Sequence, residues 1–251
     1  MKIYSSSLRG RRKKNEDTHH YIETKNKIYL GVYDGHGGSL VSKYLKANFI
    51  KNIQNKDDNN SIDYVVDHIQ DNLAKRYPSA KECGSTLLVG IIDKNTKDIR
   101  VINIGDSRAV MAVQRGGSIE ARALSKDHKP FDPPEFSEKN RIEGLNEKLE
   151  WDSDDSIYRV NGFAVSRAMG DLNYRAIGHR PDFRKKNLAN SPHFILACDG
   201  LWDVMNNTQA VNFIDNYIKK NPNGDPANAI AKQAIINGSY DNVTVIVGVN
   251  N

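Results

Sequence analysis

The sequence predicts an α+β layered sandwich, with sheets packed on one another and helices covering them. Three observations carry that prediction: β-prone runs come in series, helical periodicities come in pairs between the series, and strands do not alternate one for one with helices. A chain of 251 residues suffices for one sizeable core, so a single domain over 1–251 is expected.

The first series is a hairpin. Thr18 to Glu23 and Lys27 to Tyr33 are short and β-prone, and Lys25-Asn26 between them suits a tight turn. Leu40, Val41, Tyr44, Leu45, Phe49 and Ile53 then recur at helical spacing, as do Ile62, Val65, Val66, Ile69 and Leu73. Two amphipathic helices follow, with Asn52 to Asn60 as a loop. Ser85 to Ile92, Ile99 to Ile104, Ala109 to Val113 and Ala121 to Leu124 are apolar runs punctuated by Gly, Asn and Lys, the pattern of antiparallel strands. Phe131 to Asn161 is the least regular stretch, with a short helical pattern at Glu138 to Glu143, and is expected as a surface excursion. A strand at Phe194 to Cys198, helices marked by Val211, Ile214 and Ile218 and by Ala227 to Ile236, and a strand at Val243 to Val249 complete the order.

Composition excludes several classes. With 38% hydrophobic and 27% charged residues the chain is expected to fold rather than stay disordered. The longest apolar runs, Phe194 to Cys198 and Val243 to Val249, fall far short of the roughly 20 residues of a membrane span. Nor does the start carry the apolar stretch of a secretory signal, so an intracellular protein, cytoplasmic or nuclear, is expected. Cys83 and Cys198 have no partners at zinc spacing, and Cys198 reads as a buried small hydrophobe. The net charge of +5 is modest and spread along the chain apart from the cluster Arg9 to Lys14.

Four aspartates are each read as standing at the end of a β-prone apolar run, beside a glycine or a turn: Asp34, Asp106, Asp199 and Asp241. A strand that ends in a carboxylate places that charge at one rim of a sheet. Several such groups gathered together repel one another and resist desolvation unless a hard divalent cation joins them. Each one taken singly also fits ordinary turn chemistry, and spacing alone does not bring them together.

Motif order is more specific. The chain carries Gly10-x-Arg12 leading to Asn15-Glu16-Asp17, then Val32-Tyr33-Asp34-Gly35-His36-Gly37-Gly38, Gly84-Ser85-Thr86, Ile104-Gly105-Asp106-Ser107-Arg108-Ala109 and Lys126-Asp127-His128-Lys129-Pro130. Val165-Ser166-Arg167-Ala168-Met169-Gly170-Asp171, Leu196 to Val204 and Ser239-Tyr240-Asp241-Asn242-Val243-Thr244 follow. In these motifs, over nearly its whole length, it resembles the metal-dependent type 2C protein serine/threonine phosphatases, the PPM family.

The resemblance implies a four-layer α-β-β-α sandwich with two central antiparallel sheets and a dinuclear site for Mg2+ or Mn2+ at one end. By motif position Asp34 bridges both ions, Glu16 and the Gly35 carbonyl complete one site, and Asp199 with Asp241 complete the other. Asp106 and Asp203 match the positions of a weaker third ion. Arg12 matches the phosphate-binding arginine and His36 the general acid, while Asp17 orients water at the ions or Arg12. The expected reaction is hydrolysis of phosphoserine and phosphothreonine in proteins by a metal-activated water, without a covalent phosphoenzyme. The expected partner is a phosphoprotein met by a monomer, with no nucleic acid and no membrane. Residues 131–161 correspond to the family's variable flap and carry Phe131-Asp132-Pro133-Pro134 and Gly144-Leu145-Asn146 in place of an Ala-Gly-Gly-like sequence; 172–192 carries Arg184-Lys185-Lys186 in place of an acidic-proline pattern. The alternative, a catalytically inactive binding module of the same fold, predicts lost metal ligands, yet Glu16, Asp34, Asp199 and Asp241 are all present.

Overall fold

Residues 1–131 and 137–250 are described by the computed structural model. Their order is β1 (Lys2–Leu8), β2 (Thr18–Glu23), β3 (Lys27–Tyr33), β4 (Gly35–His36), α1 (Leu40–Ile53), α2 (Asn59–Arg76), β5 (Gly84–Ser85), β6 (Leu87–Asp93), β7 (Asp98–Ile104), β8 (Arg108–Arg115) and β9 (Ser118–Ala123). Then come α3 (Ser137–Gly144), β10 (Glu150–Asp152), β11 (Ile157–Arg159), β12 (Met169–Gly170), β13 (Asp182–Asn187), β14 (His193–Ala197), α4 (Asp199–Trp202), α5 (Asn207–Lys220), α6 (Pro226–Ile236) and β15 (Val243–Val249).

Two antiparallel five-stranded sheets form the centre, in the orders β1-β15-β14-β8-β9 and β13-β7-β6-β3-β2. The inner strands β3, β6, β14 and β15 are apolar on both faces because each sheet is covered on both sides. Along β3, Ile28, Leu30 and Val32 enter the core between the sheets with Phe194 and Leu196 of β14. The alternate residues Tyr29 and Tyr33 pack under α1 and α2, and Ile195 and Ala197 under α5 and α6. The expected four layers result.

The predicted hairpin, helices and strands are all present, and three differences have physical causes. First, the loop expected over Asn52 to Asn60 shrinks to 54–58. The side chains of Asn48 and Asn52 bond back to the carbonyls four residues earlier, at 2.8 Å each, and so tolerate helix. Second, β1 pairs with β15 over its full length although Ser5-Ser6-Ser7 has little intrinsic strand preference, so the register with β15 overrides propensity. Third, the divergent 172–192 stretch contains β13, an edge strand whose exposed Arg184, Lys185 and Lys186 deter further strand pairing.

The excursion is more ordered than expected. Besides α3 it holds the β10–β11 hairpin, and Ile142, Val160, Ala168, Ala176 and Ile177 form a small core of their own. Asp132-Pro133-Pro134 lies outside the described residues. Among the described residues no helix is long and apolar enough to cross a membrane.

Candidate metal centre

Strand direction explains how distant aspartates reach one rim. β3 and β7 both pair antiparallel with β6, so they run alike and finish on the same side, where Asp34 and Asp106 follow. In the second sheet Ala197 at the end of β14 pairs with Val245 near the start of β15. That register sets Asp199 beside Asp241, which precedes its strand rather than ending one.

A carboxylate oxygen of Asp34, one of Asp199 and the Cys198 sulfur lie within 4.8 Å of one another. Cys198 is fully buried, and its sulfur accepts from the Thr244 amide at 3.1 Å. Burial pushes its thiol well up, so it stays the small hydrophobe that the sequence predicts. Desolvation, followed by repulsion from neighbouring carboxylates, pushes the Asp34 and Asp199 carboxyls well above the usual range. For Asp34 the repelling groups are Asp17, Asp199, Asp106 and Asp241, which all lie near enough to act on it. Asp17 is buried behind this group and raised to about 6, chiefly by desolvation. Both of its carboxylate oxygens lack a hydrogen-bond partner among the described residues.

Glu16 approaches from the loop after β1. Its Oε2 accepts from the Gly38 amide at 3.1 Å, and its carbonyl runs so close to Gly35 that a Cβ there would sit 2.4 Å from the oxygen. Gly35 therefore serves close packing. Arg12 lies exposed at the lip and donates from its guanidinium to Asp241 Oδ2 at 2.7 Å. Arg11 stacks over the Tyr240 ring, its guanidinium 4.5 Å from the ring centroid.

His36 lies at the mouth with Nε2 2.6 Å from Asp171 Oδ2, and Asp171 is fully buried. At Gly84 a Cβ would fall 2.0 Å from that oxygen and 2.5 Å from Nε2, so only glycine leaves room for the pair. Asp106 is buried and Asp203 exposed, and Lys129 reaches both.

Sequence reading missed the roles of two residues that its motifs contained. Asp171 closes the Val165-to-Asp171 motif, but only the fold brings it to His36. Asn242 is buried and ties the 9–16 loop down: its Oδ1 accepts from Glu16 N at 2.8 Å, and its Nδ2 donates to Arg9 O at 2.8 Å and Lys14 O at 2.9 Å. Its position beside Asp241 was the available signal.

The residues fit a hard divalent cation. The donors are carboxylate and carbonyl oxygens, several carboxyls are held uncomfortably by burial and mutual repulsion, and both buried oxygens of Asp17 and Oδ1 of Asp106 have no partner among the described residues. Sandwich and acidic rim together have the architecture of a cation-dependent hydrolase.

Comparison with known proteins is specific. The sequence profile of the family described as Protein phosphatase 2C matches residues 1–243. Protein phosphatase 1L of Bos taurus is 32% identical, over 96% of this chain and 70% of that relative. Probable protein phosphatase 2C 69 of Arabidopsis thaliana is 35% identical, over 87% of this chain and 60% of that relative. Among solved structures, a C. elegans sex-determining protein aligns with a TM-score of 0.86 at 25% identity, covering 99% of this chain and 64% of the other. A serine-threonine phosphatase 2C from Toxoplasma gondii shares the fold, with a TM-score of 0.83 at 22% identity over 98% and 93% of the two chains. The chain belongs to the protein phosphatase 2C family, the metal-dependent enzymes that remove phosphate from serine and threonine in proteins.

Proposed function

We propose that this rim hydrolyses phosphoserine and phosphothreonine in proteins. In this reading Glu16, Asp34, the Gly35 carbonyl, Asp199 and Asp241 hold two Mg2+ or Mn2+ ions, and Asp106 with Asp203 offers a weaker third position. The observation that carries it is the meeting of Asp34 and Asp199, from different sheets, within 4.8 Å. Bound there, the ions supply Lewis acidity, easing deprotonation of an attacking water and offsetting phosphoryl charge.

The chain's own groups supply the rest. Arg12 leaves or shares Asp241 to fork onto two phosphate oxygens, and its exposed position gives a protein-borne phosphate access. His36 keeps Nε2–H on Asp171 while its free Nδ1 donates a proton to the leaving serine or threonine oxygen. The step delivers the proton carried on Nδ1 of a doubly protonated ring, with the Asp171 carboxylate 2.6 Å from Nε2 as its counter-charge. Asp17, with unpartnered oxygens behind Asp34, orients water at the rim. The reading takes 1–251 as one catalytic domain, acting inside the cell as a monomer on phosphoproteins and not on nucleic acid.

The test is phosphate release from a phosphothreonine peptide. Turnover should require Mn2+ or Mg2+, stop on chelation and fall about a hundredfold or more in Asp34→Asn and Asp199→Asn, whose circular dichroism stays native. Wild-type-like turnover by either variant, or in excess chelator, contradicts the reading.

A further inference from the structure

The Asp106–Asp203 pair already has a cation. Lys129 Nζ lies 3.0 Å from Asp106 Oδ2 and 4.0 Å from Asp203 Oδ1. Asp106 is 1% exposed, so it meets this ammonium largely out of water, where the attraction is strong.

The backbone builds this placement. The His128 amide donates to Gly105 O at 3.0 Å, and the Gly105 amide donates back to His128 Nδ1 at 3.0 Å. Asn103 Nδ2 holds the same loop through Lys126 O at 2.7 Å, and Ser166 N bonds His128 O at 2.9 Å. Lys129 is thus clipped to the strand end that carries Asp106. The nearby Arg108 does not compete for that carboxylate, because its fork closes on Asp127 at 2.9 and 2.6 Å and its remaining arm on Asn207 at 2.8 Å.

We propose that Lys129 is a resident cation that competes with a third divalent ion for Asp106 and Asp203. A divalent ion ligated by both carboxylates needs the volume that the ammonium holds, and two cations at that separation repel. The third ion therefore enters only when Lys129 swings out, for which its one-third-exposed side chain has room. At the two-ion site the cation on Asp241 is the exposed Arg12, which can leave to bind phosphate, whereas the third position stays weak because the chain neutralises its buried carboxylate itself. The inference rests on the metal-centre reading only in taking Asp106 and Asp203 as potential ligands.

Mn2+ binding to metal-stripped protein, followed by titration calorimetry and by equilibrium dialysis, tests it without an activity assay. Lys129→Met should bind one more Mn2+ per chain than wild type, or bind its weakest equivalent about tenfold or more tightly. Lys129→Arg, which keeps the charge, should follow wild type. The gain should vanish in Lys129→Met/Asp203→Asn, which separates site occupancy from a general change of field. Lys129→Gln serves should the methionine variant lose its near-UV circular dichroism. Superimposable isotherms for wild type and the neutral variants overturn the proposal, as does a gain that survives Asp203→Asn. Wild-type protein that binds no Mn2+ counts against the two-ion reading, whereas the competition is read from the difference between variants.

Discussion

A histidine bonded through Nε2 to a buried carboxylate can act on substrate only through Nδ1, which makes Asp171 as informative as His36. Removing the acid should matter most when the leaving group is poor. His36→Ala should therefore lose about a hundredfold on a phosphothreonine peptide and less than about tenfold on p-nitrophenyl phosphate. Asp171→Asn should show the same split with smaller losses, since the ring remains but its imidazolium loses a counter-charge. Equal losses on both substrates, measured as kcat, would remove the acid role. At this scale legibility was uneven. Asp34, Asp199 and His36 could be singled out as candidates because their motifs are contiguous in sequence. The Asp171 pairing was not, because the two residues meet only through the short antiparallel contacts of β4, β5 and β12.

Elements were more legible than pairings, since periodicity records burial directly. α5 shows why ends need more than periodicity. Val211, Ile214 and Ile218 located the helix, but its start is set by a reciprocal cap. Asn206 Oδ1 accepts from Gln209 N at 2.9 Å and Gln209 Oε1 accepts from Asn206 N at 2.8 Å. The cap follows directly on the turn that carries Asp199 and Asp203, so it also fixes where that turn stops. Asn206→Ala should cost about 1 kcal/mol in urea unfolding, and an unchanged midpoint would show the helix start to be held by packing alone. β1 and β13 escaped sequence reading for the opposite reason: a serine-rich and a basic run acquire strand geometry only from the partners that accept them.

At the scale of the whole molecule, the sandwich places the charged rim and the dry interior at different heights, and acid should act on both. His193 opens the central strand β14, is 1% exposed, and has neither ring nitrogen bonded among the described residues. Burial lowers its pKa from 6.5 to about 4, against a smaller opposing pull from Asp215. Between those values the unfolded chain binds a proton that the folded chain refuses. Folding stability therefore falls as pH drops below 6.5 and levels off near 4, by ~2 kcal/mol between pH 7 and 5 from this residue alone. Carboxylates also titrate over the lower part of this range, so the contrast is between proteins rather than between pH values. His193→Leu, whatever its stability at pH 7, should lose less stability than wild type on going to pH 5, read from urea midpoints of metal-stripped protein. Parallel pH profiles for the two would place the acid sensitivity in the rim instead, where added Mn2+ would suppress it.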